Sequence, residues 1–142
     1  MTKPFLLDTG PLGKIAHPRP HPEIFAWLTR ILGGGAVVVV PEISDFELRR
    51  NLLLEGLTDS LQRLDELKVV LNYLPLTTGA MLIAAAYWAE ARRRGKPTAD
   101  PKELDVDVIL AAQAHEAGGI VVTENVGHLD QLVEARHWRE IK

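Results

Sequence analysis

The sequence contains no cysteine, so disulfide bonds and thiolate metal sites are excluded. Zinc is disfavoured for the same reason, because histidine offers no replacement at a helical spacing. His17 and His21 stand four residues apart, but the prolines between them rule out a helix that would place both on one face. We therefore interpret both histidines as solvated loop residues rather than as metal ligands.

Long apolar runs are also absent, since every run is far shorter than the roughly 20 residues that span a bilayer. Residues 1–4 carry a single lysine with no apolar stretch behind it, which is unlike a signal peptide. These two absences predict a cytoplasmic protein that does not associate with membranes.

Neither sign of charge dominates, because 16 Lys and Arg residues face 19 Asp and Glu residues, for a net charge of −3. This balance disfavours a broad electrostatic binder of nucleic acids, although a local patch can still carry such binding. The chain is 46% hydrophobic and 25% charged over 142 residues, which is typical of a globular protein. We expect residues 1–142 to form a single domain.

Apolar runs and turn residues predict an alternation of strands and helices. Strands are predicted over 5–7, 36–40, 72–76, 120–122 and 138–141, and helices over 12–16 (a first turn), 23–32, 44–54, 58–70, 80–94, 105–117 and 129–134. The segments 96–104 and 123–128 are interpreted as polar loops. Such alternation predicts an α/β fold with a parallel sheet covered by helices on both faces.

An acid ends the first predicted strand, where the apolar run 5–7 is followed by Asp8 and then by the turn residues Gly10 and Pro11. In open α/β sheets, ligands bind beyond the carboxyl ends of the strands, where the strand order reverses. Asp8 is therefore placed for chemistry. The alternative is that Asp8 only caps the turn that follows it.

Other polar residues are predicted at the same edge of the sheet. They follow the second strand, follow the fourth strand, or begin the helix that leads into the fourth strand: Glu42, Glu47, Asp105, Asp107, Thr123, Glu124 and Asn125. Each also has a purely structural explanation, such as a Ser44–Glu47 capping box or first-turn acids at Asp105 and Asp107. Crowded carboxylates repel one another, and a divalent cation relieves that repulsion. Oxygen donors favour Mg²⁺ or Mn²⁺.

Four short motifs resemble those of PIN-domain ribonucleases, in particular the VapC toxins of type II toxin–antitoxin systems. Residues 6–10 (LLDTG) resemble the opening strand with its first acid, and 43–48 (ISDFEL) are similar to the second acidic motif. Residues 107–112 (DVILAA) resemble the third motif, and 122–125 (VTEN) the fourth. The resemblance covers nearly the whole chain. The order and spacing of the four motifs make the set more specific than any one motif.

The resemblance implies a three-layer α/β/α PIN-like fold with a central parallel sheet of about five strands in the order 3-2-1-4-5. It implies a Mg²⁺- or Mn²⁺-dependent endoribonuclease that hydrolyses RNA phosphodiester bonds, with a cognate antitoxin protein as partner and a homodimer as its assembly. The resemblance makes Asp8, Glu47 and Asp107 the metal ligands and catalytic residues, assisted by Asn125.

Several further roles depend on the same resemblance. Thr9 or Thr123 would orient a water or a phosphate oxygen, and Asp105 competes with Asp107 for the third ligand position. Glu124 or Glu42 would compensate for the amide at Asn125, which is a weaker ligand than an aspartate. Contacts to the RNA backbone are assigned to Arg49 and Arg50.

Two other functions stay open at this point. The chain could be a catalytically silent PIN-fold module for protein binding or dimerisation, against which the complete set of acids argues. A phosphatase of the haloacid-dehalogenase type is disfavoured, because that class needs a second aspartate two residues after the first and position 10 is glycine.

Overall fold

Five short strands form one parallel sheet in the computed structural model, which describes residues 2–95 and 101–142 (of 101–103, the backbone alone). The strand order is β3-β2-β1-β4-β5, which confirms the predicted 3-2-1-4-5 topology. The strands are β1 (Phe5–Leu7), β2 (Val38–Pro41), β3 (Asn72–Leu74), β4 (Ile120–Val122) and β5 (Ala135–Arg136).

Helices cover both faces of this sheet. Within the described ranges they are α1 (Thr9–Ala16), α2 (Pro22–Gly33), α3 (Glu42–Glu55), α4 (Thr58–Val70), α5 (Thr78–Arg93), α6 (Pro101–Ala117) and α7 (Val126–Leu129), followed by the 3₁₀ helix Trp138–Glu140. No helix of the described segments is both long and apolar enough to cross a membrane.

The three layers follow from the alternation of side chains along the buried strands. Leu7 and Val38 pack into a core with α1 to α4, whereas their neighbours Leu6 and Val39 pack against α6 and α7 on the opposite face. Helix α5 lies outside α6 and shares a third, alanine-rich cluster with it. The expected α/β/α architecture is confirmed.

The end of the chain differs from the prediction. The predicted strand over 138–141 is a 3₁₀ helix, and β5 lies earlier, at Ala135–Arg136. Trp138, which is 2% exposed, and Ile141 pack into the core beside α2. This packing, and not strand pairing, accounts for their apolar character. The helix predicted over 129–134 is also wrong, because α7 begins at Val126 within the predicted loop 123–128 and already ends at Leu129.

Two predicted helix starts are also wrong. Helix α6 begins at Pro101 rather than at Asp105, so residues 101–104 are helical and not loop, while 96–100 lie outside the described residues. Helix α3 begins at Glu42, with Pro41 as its N-cap. Ser44 therefore lies inside the helix, 1% exposed, and its hydroxyl has no hydrogen-bond partner. The Ser44–Glu47 capping box does not form.

Ser44→Ala is therefore expected to leave the free energy of unfolding unchanged or to raise it slightly. Alanine is the better helix former, and the change removes a buried hydroxyl that makes no hydrogen bond. If Ser44 were a working N-cap, the same change would cost about 1 kcal/mol. Thr77→Ala is the matched control, because Thr77 is the N-cap of α5 and its hydroxyl accepts from the Ala80 N–H at 2.9 Å. Urea denaturation of both variants distinguishes the two cases.

Candidate functional site

A polar pocket lies at the carboxyl edge of the sheet, where β1 and β4 end side by side. Its volume is about 140 Å³. The residues that line it come from four separate segments of the chain and include all four predicted catalytic positions: Asp8, Thr9, Gly10, Glu47, Asp107, Asn125, His128 and Leu129. We call this the acidic pocket.

Asp8 both caps α1 and lines the acidic pocket, so the two interpretations of this residue hold together. Its Oδ1 accepts the Thr9 N–H at 2.7 Å, and its Oδ2 accepts the Thr123 hydroxyl at 2.8 Å. Burial raises the pKa of Asp8, and the carboxylates of Glu47 and Glu124 raise this pKa further, outweighing the two hydrogen bonds. The charge of Asp8 is thus poorly compensated by the protein alone.

Glu47 reaches the same pocket from the second turn of α3. Its Oε1 accepts the Thr9 hydroxyl at 2.5 Å, and its Oε2 lies 3.7 Å from Nη2 of Arg50. The guanidinium of Arg50 is half exposed and lies over the Phe46 ring. Thr9 therefore connects the first two acids, since its backbone N–H bonds Asp8 and its hydroxyl bonds Glu47.

The two aspartates of α6 point in different directions. Residues two apart on a helix are separated by about 200° around its axis. Asp107 lines the acidic pocket, whereas Asp105 lines an apolar groove of about 380 Å³ between α5 and α6. Because α6 begins at Pro101, both lie beyond its first turn, and the N-cap explanation fails for each.

The groove beside Asp105 is lined by two large apolar side chains of α5. Met81 and Trp88 match the helical spacing of core residues on α5, yet both line this groove and are 45% and 40% exposed. Alanines at 80, 84 and 91 make the buried face of α5 instead. Small side chains allow α5 to approach α6 closely, which leaves the larger residues at the rim.

The segment after β4 holds Asp8 in place. Thr123 is fully buried, and its hydroxyl donates to Asp8 while its Oγ1 accepts the Asn125 N–H at 2.9 Å. Asn125 lines the acidic pocket at the start of α7. The hydroxyl of Thr123 thus fixes both a carboxylate and the turn that carries the amide.

Glu124 and Glu42 do not line the acidic pocket. Glu124 binds Lys14 Nζ at 2.6 Å and the Trp138 indole N–H at 3.3 Å. Burial of Glu124 opposes ionisation, but these hydrogen bonds prevail and lower its pKa. Glu42 instead accepts the Leu76 N–H at 2.6 Å, which fastens the chain after β3.

Arg49, one of the two predicted RNA contacts, is held by structural ion pairs. Its Nη2 lies 2.9 Å from Oδ1 of Asp45 and 2.7 Å from Oδ1 of Asp65. These bonds fasten α3 to α4. Arg50, by contrast, lies beside the acidic pocket through its contact with Glu47.

Sequence reasoning missed His128, which lines the acidic pocket together with Leu129. Both residues belong to α7, where the sequence predicts a loop up to residue 128 and a helix from residue 129. A short helix of four residues has too few positions to show a periodic pattern. The packing of α7 against α6 places His128 at the pocket, and this contact has no signal in the local sequence.

The donor set of the acidic pocket suits a hard divalent cation, since it consists of three carboxylates and an amide oxygen. The carboxylates are not yet gathered around one point. In the described part of the chain, no three His, Asp or Glu side chains are already arranged to hold a metal ion. Asp8 and Glu47 instead accept hydrogen bonds from threonines, which rotation of the side chains can release.

Several solved structures are similar to this fold. A chain of FitAcB from Neisseria gonorrhoeae is 25% identical, with a TM-score of 0.75 over 96% of this chain and 99% of that one. A chain of VapBC2 from Rickettsia felis, bound to a DNA fragment from their promoter, is 14% identical, with a TM-score of 0.77 over 94% and 98%. VapBC-1 from nontypeable Haemophilus influenzae matches with a TM-score of 0.74 at 17% identity, over 96% and 98%.

No curated protein gives a significant match to this chain. The model of the PIN domain family, however, matches residues 5–132, which include all four motifs and every residue of the acidic pocket. The five-stranded parallel sheet agrees with that match. The chain belongs to the PIN domain family.

Proposed function

We propose that this protein is a Mg²⁺- or Mn²⁺-dependent endoribonuclease and the toxin component of a toxin–antitoxin pair. One observation carries the nuclease proposal: Asp8, Glu47, Asp107 and Asn125, from four separate segments, line one pocket at the carboxyl edge of the sheet. PIN domains are in general nucleases, and the raised pKa of Asp8 indicates a charge that awaits compensation.

In this proposal Asp8, Glu47 and Asp107 hold the cation, with Asn125 assisting. A bound divalent cation polarises a phosphodiester and stabilises charge that develops in the transition state. The chain's own contribution is positioning. The hydroxyls of Thr9 and Thr123 hold Glu47 and Asp8 beside the pocket, and rotation of these side chains would turn both carboxylates toward a cation.

Support for an antitoxin partner comes from the solved structures. VapBC2, VapBC-1 and FitAcB all share this fold, and VapBC2 is bound to a DNA fragment from its promoter. Large apolar side chains that are 60% exposed or more also offer area to a protein partner: Leu53, Leu54, Val69, Val70 and Leu82. We propose a homodimer as the assembly of the free protein, which light scattering tests directly.

The nuclease proposal is tested by metal binding and by cleavage. Mn²⁺ at about 100 times its Kd is expected to stabilise the native protein by about 2.7 kcal/mol, which raises Tm by several degrees. The same metal concentration should support cleavage of a structured RNA, and EDTA should abolish it. A protein that gains no stability from Mn²⁺ or Mg²⁺ and leaves RNA intact contradicts the proposal.

The second candidate is a catalytically silent module for protein binding or dimerisation. The apolar groove between α5 and α6 favours it, because Met81 and Trp88 are partly exposed there and offer apolar area to a partner. A silent module should show no stabilisation by Mn²⁺, whereas a nuclease should. The metal titration therefore separates the two candidates without any knowledge of the partner.

A further inference from the structure

A basic groove adjoins the acidic pocket. It has a volume of about 710 Å³, shares Thr9 and Gly10 with the acidic pocket, and continues past Lys14, His17, Arg19 and His21. We call it the α1 groove. Positions 10, 13, 14 and 17 all line it and follow the spacing of one helical face, so the groove runs along α1 away from the acidic pocket.

The charges of the α1 groove are opposite to those of the acidic pocket. Lys14 and Arg19 line it, and no Asp or Glu does. Glu124 binds Lys14 Nζ at 2.6 Å and compensates its charge, so the unpaired positive charge of the groove is that of Arg19. Arg19 is exposed and forms no ion pair with any residue that the structure describes. An uncompensated guanidinium at the side of a groove is suited to an anionic ligand.

The wall of the α1 groove is preformed. The His21 N–H donates to the Lys14 carbonyl at 3.4 Å, and the His21 ring lies edge-on to Trp138 with centroids 6.1 Å apart. The Arg19 N–H donates to His17 Nδ1 at 3.0 Å. Pro18 and Pro20 restrict the backbone of the same loop, and Pro22 begins α2 directly after it. Ligand binding here therefore orders little additional backbone.

From this juxtaposition we infer that the α1 groove binds the phosphate backbone of the RNA substrate on one side of the scissile bond. The inference rests on the proposed nuclease function, which places the scissile phosphate at the acidic pocket. Helix α1 has eight residues and so extends about 12 Å, which leaves room for more than one phosphate. Phosphate contacts of this kind position the strand without reading its sequence.

This assignment moves the main RNA contact away from the predicted Arg49, whose guanidinium is already bound by Asp45 and Asp65. His17 and His21, interpreted from the sequence as solvated loop residues, line the α1 groove. Their rings can stack on unpaired bases or donate hydrogen bonds to phosphate. The unpaired guanidinium of Arg19 beside the acidic pocket is a local positive charge through which a protein of net charge −3 can hold RNA.

The test is the salt dependence of RNA binding by Arg19→Gln. The probe is a fluorescein-labelled oligouridylate of about 12 nucleotides, within the usual single-strand site size, measured by anisotropy in EDTA to prevent cleavage. Loss of one phosphate contact should weaken binding about fivefold and reduce the slope of log K against log salt by about 0.7. Arg30→Gln is the matched control, because Arg30 is exposed on α2 and does not line the α1 groove. Its slope should equal that of the wild type.

Cleavage kinetics separate this inference from the proposed function. Arg19→Gln should raise KM with kcat unchanged, and its stabilisation by Mn²⁺ should equal that of the wild type. A wild-type slope in Arg19→Gln, in a protein that still cuts RNA, overturns the groove assignment and leaves the nuclease intact. A slope that stays unchanged while binding of a polyglutamate peptide weakens would make the groove a protein-binding surface, which also overturns it.

Discussion

Asp8→Asn is expected to reduce RNA cleavage by about a hundredfold or more while leaving the protein folded. Asparagine keeps an oxygen that can accept the Thr9 N–H, so the cap of α1 survives. It removes one of the three carboxylates of the acidic pocket. A factor of one hundred corresponds to about 3 kcal/mol, within the several kcal/mol that metal charge supplies. Single-turnover cleavage of a structured RNA in Mn²⁺ measures the loss.

Without metal, the same variant is expected to be at least as stable as the wild type at neutral pH. Burial and the nearby carboxylates of Glu47 and Glu124 raise the pKa of Asp8 above its ordinary 3.8. An acid whose pKa is raised by folding destabilises the native state when ionised, and this penalty is complete above the native pKa. It disappears as the pH falls through the native pKa to below 3.8. The Tm advantage of Asp8→Asn in EDTA should therefore shrink on acidification.

Two controls make the Asp8 experiment decisive. Asp59→Asn removes an exposed acid from the first turn of α4, which does not line the acidic pocket, and should leave cleavage and the response to Mn²⁺ unchanged. Asp8→Ala removes the cap as well as the charge and should be about 1 kcal/mol less stable than Asp8→Asn. If Asp8→Asn still gains Tm from Mn²⁺ and still cuts RNA, Asp8 has no part in the mechanism.

Asp107→Asn is expected to lose RNA cleavage to a similar extent, whereas Asp105→Asn should stay within about twofold of the wild type. The two side chains differ in direction and not in chemistry, since Asp107 lines the acidic pocket and Asp105 the apolar groove beside α5. Removing the third carboxylate weakens the cation site and its transition-state stabilisation. Parallel measurement of cleavage and of the Mn²⁺-induced change in Tm compares the pair.

Each aspartate serves as the control for the other, because both lie on α6 and each change replaces one carboxylate by an amide. Activity that is lost in Asp105→Asn and kept in Asp107→Asn would reverse the assignment. Equal losses in both variants would point to a defect in α6 itself, which the melting temperatures in EDTA would reveal.

The α/β/α architecture and the convergence of polar residues at one edge of the sheet were predicted from local sequence patterns. Buried strands such as β2, with three consecutive valines, carry their signal locally, because residues that pack on both faces must all be apolar. Asp8 and Asn125 follow the neighbouring strands β1 and β4, and parallel strands all end at the same edge of a sheet. Their meeting in one pocket required no knowledge of side-chain packing.

The tertiary structure decided where helices begin and which face each residue presents. The starts of α3 at Glu42 and of α6 at Pro101 remove the local capping explanations, because a helix start depends on packing as well as on its capping residue. The direction of Asp105 away from the acidic pocket follows from the start and rotation of α6. Neither could be obtained from residue spacing alone.

The tertiary structure also decided which charges are already paired. Nothing in the sequence around Arg49 or Arg19 indicates which of the two forms an ion pair. In the structure Asp45 and Asp65 bind Arg49, whereas no described residue forms an ion pair with Arg19. Ion pairing between α3 and α4 depends on how the two helices pack. Long-range contacts of this kind leave no periodic trace in the sequence, so only the folded chain distinguishes a structural arginine from one that can bind a ligand.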